Sequence, residues 1–379
     1  MYSVADFGDM IADRTRMGAY EAALRRAVKP GCVVVDVGTG TGIFALWACK
    51  LGAARVYAID PHPAIEVAKE NAKRNGYADR ITFIRKLSTE VELPEKADVL
   101  ISDMRGAFPL FGKHLVAVAD ARKRFLAPGG VQIGERDDLY VAPVALSEFC
   151  AELVDGYADT DIDFSASREA ILEQEHSIPR RTLRASHLLA DPACWATLEY
   201  ATTGNLDASG KASLRVKTPG KANGLALWFR ATLLSGIGFD NGPSEAPPVY
   251  RPMFLPWTRP VPLVAGDRVD VELRATYSRD GYLWGWNTRI SGSTAAEFKQ
   301  SNFRRLGGGL AQLRQSAPSR APGLGAKGHA ALKVLEAFAA GASQGTVADQ
   351  ISQDFPKLFR DREAALAFAQ RLGGDYGAP

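Results

Sequence analysis

The segment VVVDVGTGTG, Val33 to Gly42, runs from an apolar strand into a glycine-rich turn. Such a turn lets a ligand approach the backbone, because glycine tolerates the φ values required. Gly38, Gly40 and Gly42 are spaced G-x-G-x-G rather than G-x-G-x-x-G, and Asp36 stands two residues before the first of them. A carboxylate there repels the pyrophosphate of a dinucleotide, whereas a cofactor with sulfonium and ammonium groups is attracted. The pattern selects S-adenosyl-L-methionine over NAD. A second apolar run, RVYAID, ends in Asp60, which is placed to accept hydrogen bonds from both ribose hydroxyls; the alternative is that it caps the helix begun by PHPAIEVAKENAKRNG. After the third strand, KLSTEVELP falls where adenine would sit, with Ser88, Thr89 and Glu90 as equal candidates to meet its amine. His62, next to Asp60, reads as a supporting or surface residue.

The elements that must position these groups alternate from Val33 to Val141: CVVVDVG, FALWACKLG, RVYAID, AIEVAKENAKRNG, ITFIRK, ADVLISD and LVAVADARKRFLAPGG. β-branched runs between amphipathic helices predict an α/β, Rossmann-like domain whose parallel sheet is covered on both faces. From Ala142 to about Ser293 the texture changes to short strands such as ALWFRATLLSG and DRVDVELRATY between Gly and Pro turns, which predicts a β-sandwich or β-barrel. Its first part, SEFCAELVDGYADTDIDFS, reads as an inserted helical or irregular arm. Trp284 and Trp286 alternate on one strand, as core or dimer packing requires. Residues 304 to 328 read as a linker by their Gly, Pro, Ser and Arg content, and residues 329 to 379 as a module of three helices.

Composition narrows the function classes. A formal charge of +3 over 379 residues gives no case for a general nucleic-acid binder. Cys32, Cys49, Cys150 and Cys194 lack any C-x-x-C spacing, so neither a metal site nor a disulfide framework is expected. There is no apolar stretch behind a basic start and no run of about 18 apolar residues, so no membrane association and a cytoplasmic location are expected.

VVVDVGTGTGIFALWACKLGAARVYAID, STEVELPEKADVLISDMRGAF and ARKRFLAPGGVQIGERDDLYVAPV resemble the catalytic domain of protein arginine methyltransferases. FGDMIADRTRMGAY is similar to the family segment FG…M-x-x-D-x-x-R-x-x-x-Y, which closes over the cofactor. The resemblance implies that Arg16 holds the cofactor carboxylate, a role a guanidinium fills by bidentate pairing, and that Met10 packs near the transferring methyl group. It implies a homodimer, with the arm from Ser147 to Ser165 as the contact.

In the family, two glutamates of the loop after strand four grip the substrate guanidinium. Here SDMRGAFPLFGKH offers Asp103 at the first position and Gly112 at the second, and Arg105 adds positive charge. The family's Thr-His-Trp loop is replaced by PPVYRPMFLPW, which offers Tyr250 and Arg251 for acceptor binding. These changes predict an acceptor less cationic than arginine. Asp103 becomes the candidate to orient or deprotonate an acceptor nitrogen, with a loop cap as its plain alternative. His114 is a second base, and Arg105, Lys113 or Arg251 are anchors for an acceptor carboxylate. DVLISDMRG lacks the D-P-P-Y-type turn of base-modifying enzymes, which argues against a flipped base. The tail, with its G-x-T/S-V-x-x-x-I feature, is similar to small domains that bind leader peptides; the alternative is a packing or oligomerisation domain. The expected activity is methyl transfer to a peptide or protein nitrogen. A small amino-acid-like metabolite is the less favoured acceptor, and a cofactor-binding scaffold without turnover is the rival.

Overall fold

The structure is a computed structural model, and it describes residues 3–157, 161–202, 204–244, 247–278, 281–305, 321 and 323–377. Two compact units divide the chain, Met1–Gly307 and Gly308–Pro379.

Ser3 and Asp6 open the first unit with a capping box. The Ser3 Oγ accepts the Asp6 N–H at 3.2 Å while the Asp6 carboxylate accepts the Ser3 N–H at 2.6 Å, starting α1 (Val4–Ala12). Asp13 caps α2 (Arg14–Ala27) in turn, by accepting the Arg16 N–H at 3.1 Å. The chain then alternates through β1 (Val33–Val37), α3 (Ile43–Lys50), β2 (Arg55–Ile59), α4 (Ile65–Arg74), β3 (Ile81–Ile84), β4 (Ala97–Ser102), α5 (His114–Phe125) and β5 (Leu126–Ile133). The five strands are all parallel, in the order β3-β2-β1-β4-β5. Every residue of β1 is buried, as both faces of a covered parallel sheet demand. Strand order reverses between β1 and β4, so a crevice opens at their carboxyl ends. Val37 lies opposite Ser102 in the register, and Gly38 and Asp103 therefore leave the sheet as neighbours.

The expected change of texture at residue 142 falls inside β6 (Arg136–Val144), so the boundary needs correction. DLYVAPV is a buried strand, but it pairs antiparallel with β10 (Gly220–Leu234) and β8 (Ala193–Glu199), not with the parallel sheet. With β7 (His176–Ser177), β11 (Ile237–Asp240) and β12 (Met253–Leu263) these strands form one antiparallel sheet, ordered β7-β12-β10-β6-β8 with β11 beside β10. A second antiparallel sheet holds β15 (Ala296–Ser301), β14 (Gly281–Ser291), β13 (Arg268–Ser278) and β9 (Ala208–Arg215) in that order. One core joins the two, with Trp195 edge-on to Trp284 at 6.0 Å and Trp257 stacked on Phe298 at 5.2 Å. Trp286 is fully buried and its indole N–H donates to the Pro256 carbonyl at 3.1 Å, so Trp284 and Trp286 are core residues. The inserted segment contains α6 (Ser147–Asp155) and α7 (Ser165–Leu172). Phe149 of α6 packs edge-on against Phe254 at 5.7 Å. Residues 158–160 of the arm lie outside the described residues.

Most of the expected linker also lies outside the described residues. The second unit has three helices, α8 (Ala326–Ala339), α9 (Gln344–Asp354) and α10 (Arg362–Tyr376), so the module starts three residues before His329. Ser343 and Asp361 cap α9 and α10, and Val334, Val347, Ile351 and Leu372 share the small core. Among the described residues no helix is long and apolar enough to cross a membrane, and no group of acids, histidines and cysteines is placed to hold a metal ion.

Candidate functional site

A cavity of about 690 Å³ opens at the carboxyl ends of β1, β2 and β4. The glycine turn forms one wall. Gly38 has φ +82°, and a Cβ there would stand 2.7 Å from Met104 Cγ; at Gly40, φ +54°, a Cβ would stand 2.6 Å from Phe7 Cε1. A side chain at either position would displace Met104 or Phe7, both of which line the cavity. Phe7 and Met10 of α1 line the same cavity, and Phe7 meets His62 edge-on at 5.6 Å.

Asp60 closes the end of β2. One carboxylate oxygen accepts the Gly40 N–H and the other the His62 N–H, both at 2.8 Å. It therefore fixes the turn and starts the following segment while still facing the cavity. Two of its acceptor positions are used and others remain. Asp36 lies beneath the turn, fully buried, with the Thr39 hydroxyl donating to it at 2.6 Å. Burial pushes its carboxyl up to about 7; the Thr39 bond opposes this and the nearby Asp60 charge adds to it.

The opposite wall is built around Asp103, just beyond β4. Its carboxylate accepts from Arg16 Nε at 2.6 Å, from Arg105 Nη1 at 3.3 Å and from the Tyr250 hydroxyl. Burial pushes this carboxyl up, but Arg16, Arg105 and Tyr250 more than reverse the effect and hold it below the ordinary carboxylate value. Arg16 sits among the rings of Tyr20, Phe44 and Tyr250, and its Nη1 donates to the Met10 carbonyl at 2.8 Å. Asp13 accepts the Val249 N–H at 2.6 Å, which ties α2 to the segment carrying Tyr250.

With this geometry in view, likeness to known proteins becomes informative. Residues 15–133 match the family model described as ribosomal protein L11 methyltransferase (PrmA). A probable protein arginine N-methyltransferase 6 of Arabidopsis thaliana is 29% identical over 248 residues, covering 63% of this chain and 55% of that protein. Protein arginine N-methyltransferase PRMT10 of Oryza sativa subsp. japonica is 41% identical over 138 residues, 36% of each chain. The chain thus spans between about a third and about half the length of these relatives. The Trypanosoma brucei PRMT1 enzyme-prozyme complex with AdoHcy superimposes with a TM-score of 0.72 at 23% identity, over 78% of this chain and 96% of that one. The chain is PRMT-like, with the class I S-adenosylmethionine-dependent methyltransferase fold.

Within this PRMT-like chain the predicted residues separate. Met10, Arg16, Gly38, Gly40, Asp60, Ser88, Asp103, Tyr250 and Arg251 all face the one cavity. Asp36 and Gly42 do not. Asp36 supports the turn from below, and Gly42 begins α3 at φ +92°, where a Cβ would be 3.0 Å from Ala68 Cβ, so close packing explains it. Among the three adenine candidates Ser88 is buried on the cavity wall, while Thr89 and Glu90 are exposed and off it, because the short turn they share faces only its first residue inward.

The loop residues need stronger correction. Arg105 is 1% exposed and off the cavity wall. Its Nε and Nη2 form a fork on Asp137 at 2.7 and 3.1 Å, and its Nη1 donates to the Tyr20 hydroxyl at 2.7 Å. It is a positioning residue beneath Asp103 and not an anchor for an acceptor. His114 contributes to the wall, but its Nε2 lies 2.9 Å from the Tyr200 hydroxyl, which donates to Asp137 at 2.6 Å. Burial, then Arg105, pushes the imidazole down to about 3 against the pull of Asp103, so it is too weak a base for the role expected of it. Asp103, held low by its cations, likewise suits orientation better than proton removal.

The sequence reading missed Asp13, Tyr20, Asp137, Tyr200 and Arg180. Asp13 and Tyr20 are signalled by the D-x-x-R-x-x-x-Y spacing around Arg16. The others carry no local signal.

Proposed function

We propose that this PRMT-like chain is an S-adenosyl-L-methionine-dependent methyltransferase whose acceptor is a nitrogen of a peptide or protein other than an ordinary arginine guanidinium. The observation that carries the reading is a single cavity with Asp60 and the Gly38–Gly40 turn on one side and, on the other, an Asp103 already ion-paired with Arg16 and Arg105. The names of the relatives and the AdoHcy held by the Trypanosoma brucei neighbour support methyl transfer to protein.

The residues present fit the cofactor. Asp60 has acceptor capacity left for ribose hydroxyls, Ser88 offers a hydroxyl toward adenine, and Arg16 keeps Nη2 for a carboxylate while Nε and Nη1 are engaged. When bound, S-adenosylmethionine supplies a methyl group on a sulfonium. Met10 and Met104 provide an apolar wall that excludes water from the transfer region. Asp103 accepts three hydrogen bonds and has room for one more, so it can orient an acceptor N–H without leaving its own cations.

A cationic guanidinium would have to compete with Arg16 and Arg105 for this one carboxylate, with Gly112 offering no second acid. Arginine methylation is nonetheless a second reading, favoured by the relatives' names. A cytoplasmic homodimer joined through the 147–165 arm, with the acceptor peptide captured by the C-terminal helical module, belongs to the same proposal.

Isotope-labelled methyl transfer from S-adenosylmethionine into an extract of the source cells tests it. Label is expected in the macromolecular fraction, on a nitrogen that mass spectrometry places outside arginine. Methylarginine would establish the second reading. Label only in small molecules would identify a metabolite enzyme, and no label with cofactor binding intact would leave a scaffold.

A further inference from the structure

We propose that the acceptor is an acidic peptide whose carboxylates dock on Lys113, Arg180 and Arg251. This rests on the peptide methyltransferase reading and names its substrate class. The three cations come from separate elements and line one cavity. Lys113 precedes α5, directly after Gly112, whose φ of +49° turns the loop. Arg180 follows β7 and Arg251 precedes β12. Pairing of Ser177 with Met253, and an Ile178 N–H donated to the Pro252 carbonyl at 2.8 Å, set those two segments side by side. Arg180 Nη2 donates to the Pro247 carbonyl at 2.9 Å, which fixes the loop leading to Tyr250.

The charge balance at this end is one-sided. All three side chains belong to exposed residues, and among the described residues none has a carboxylate within ion-pair distance, whereas Arg16 and Arg105 deeper in each hold an ion pair with an aspartate. Of the four acids on the wall, Asp103 holds two guanidiniums and Asp60 holds backbone, while Asp6, bonded to Ser3, and Asp9 both lie on α1. Unpaired cations in a concave wall concentrate anions, and guanidiniums match carboxylates in particular. A chain charge of only +3 favours a short acidic peptide over nucleic acid as the source of that anion.

Fluorescence anisotropy on the full chain, saturated with S-adenosylhomocysteine, tests the docking with labelled (Gly-Glu)₃, (Gly-Lys)₃ and a short single-stranded oligonucleotide. The acidic peptide should bind about tenfold or more tighter than the basic one and weaken as salt rises from about 50 to about 300 mM. The double variant Arg180→Gln, Arg251→Gln should lose about tenfold for the acidic peptide, with near-ultraviolet circular dichroism confirming its fold. Equal or tighter binding of the basic peptide, no binding of the acidic one at millimolar concentration, or no loss in the double variant would overturn the inference. Tighter binding of the oligonucleotide would overturn the peptide source. Peptide methylation without acidic preference counts against the docking alone; acidic-peptide binding with no protein or peptide methylation counts against the proposed activity alone.

Discussion

Asp36→Asn isolates the energetic cost of an acid sealed under the glycine turn. Asp36 is fully buried and its carboxyl is pushed from 3.8 up to about 7, chiefly by burial. That is about 3 pK units, or about 4 kcal/mol at roughly 1.4 kcal/mol per unit. The sign follows from proton binding: between these two values the folded chain holds a proton that the unfolded chain has released, so stability falls as pH rises. The contribution is fully present below about pH 4, is lost progressively toward pH 7, and levels above it. Asparagine keeps an oxygen for the Thr39 hydroxyl and cannot ionise. The variant should therefore match the parent near pH 4 and exceed it by up to about 4 kcal/mol at pH 8. Urea denaturation followed by tryptophan fluorescence measures this in the right unit, because all six tryptophans lie before residue 308. Parallel stability profiles for the two proteins between pH 4 and pH 8 would refute the reasoning, since a buried acid with an ordinary pKa produces no such divergence.

Asp60→Ala removes the acceptor of the Gly40 N–H and of the ribose hydroxyls. At about 1.5–3 kcal/mol for each bond to a charged group, calorimetry should find S-adenosylmethionine bound at least tenfold more weakly, and an affinity within threefold of the parent would remove Asp60 from the cofactor site. Arg105→Met leaves Asp137, itself fully buried, without its bidentate partner. It should cost about 3–5 kcal/mol in urea denaturation, most of it recovered when Asp137→Leu is added; a loss below about 1 kcal/mol would show that the pair contributes little.

What could be read from the chain follows the range over which its information acts. The strands before residue 103 are legible because β-branched runs buried on both faces look alike wherever they occur, and the glycine turn because its backbone demand is local. The same logic explains the error at residue 142. DLYVAPV has the burial of a core strand in either sheet, and only its partner, Gly220–Leu234, decides which sheet it joins. Arg105 looked like a loop cation available to a ligand because its acid stands 32 residues away. His114 looked like a base because nothing beside it announces Tyr200, 86 residues on. At the adenine end Ser88, Thr89 and Glu90 could not be ranked, since a short helical turn, and not their chemistry, settles which one faces inward.

The sharing of Asp103 links the two ends of the cavity thermodynamically. Arg16, from α2, and Tyr250, from the segment before β12, hold the same carboxylate, and Arg16 Nε is also 3.4 Å from the Tyr250 hydroxyl. A ligand that displaces Tyr250 changes what Arg16 is paired with, and one that draws Arg16 away leaves Tyr250 with a less neutralised acid. Each ligand therefore alters the affinity for the other by the same factor in both directions, so the coupling between cofactor and acceptor is carried by three side chains that lie far apart in sequence.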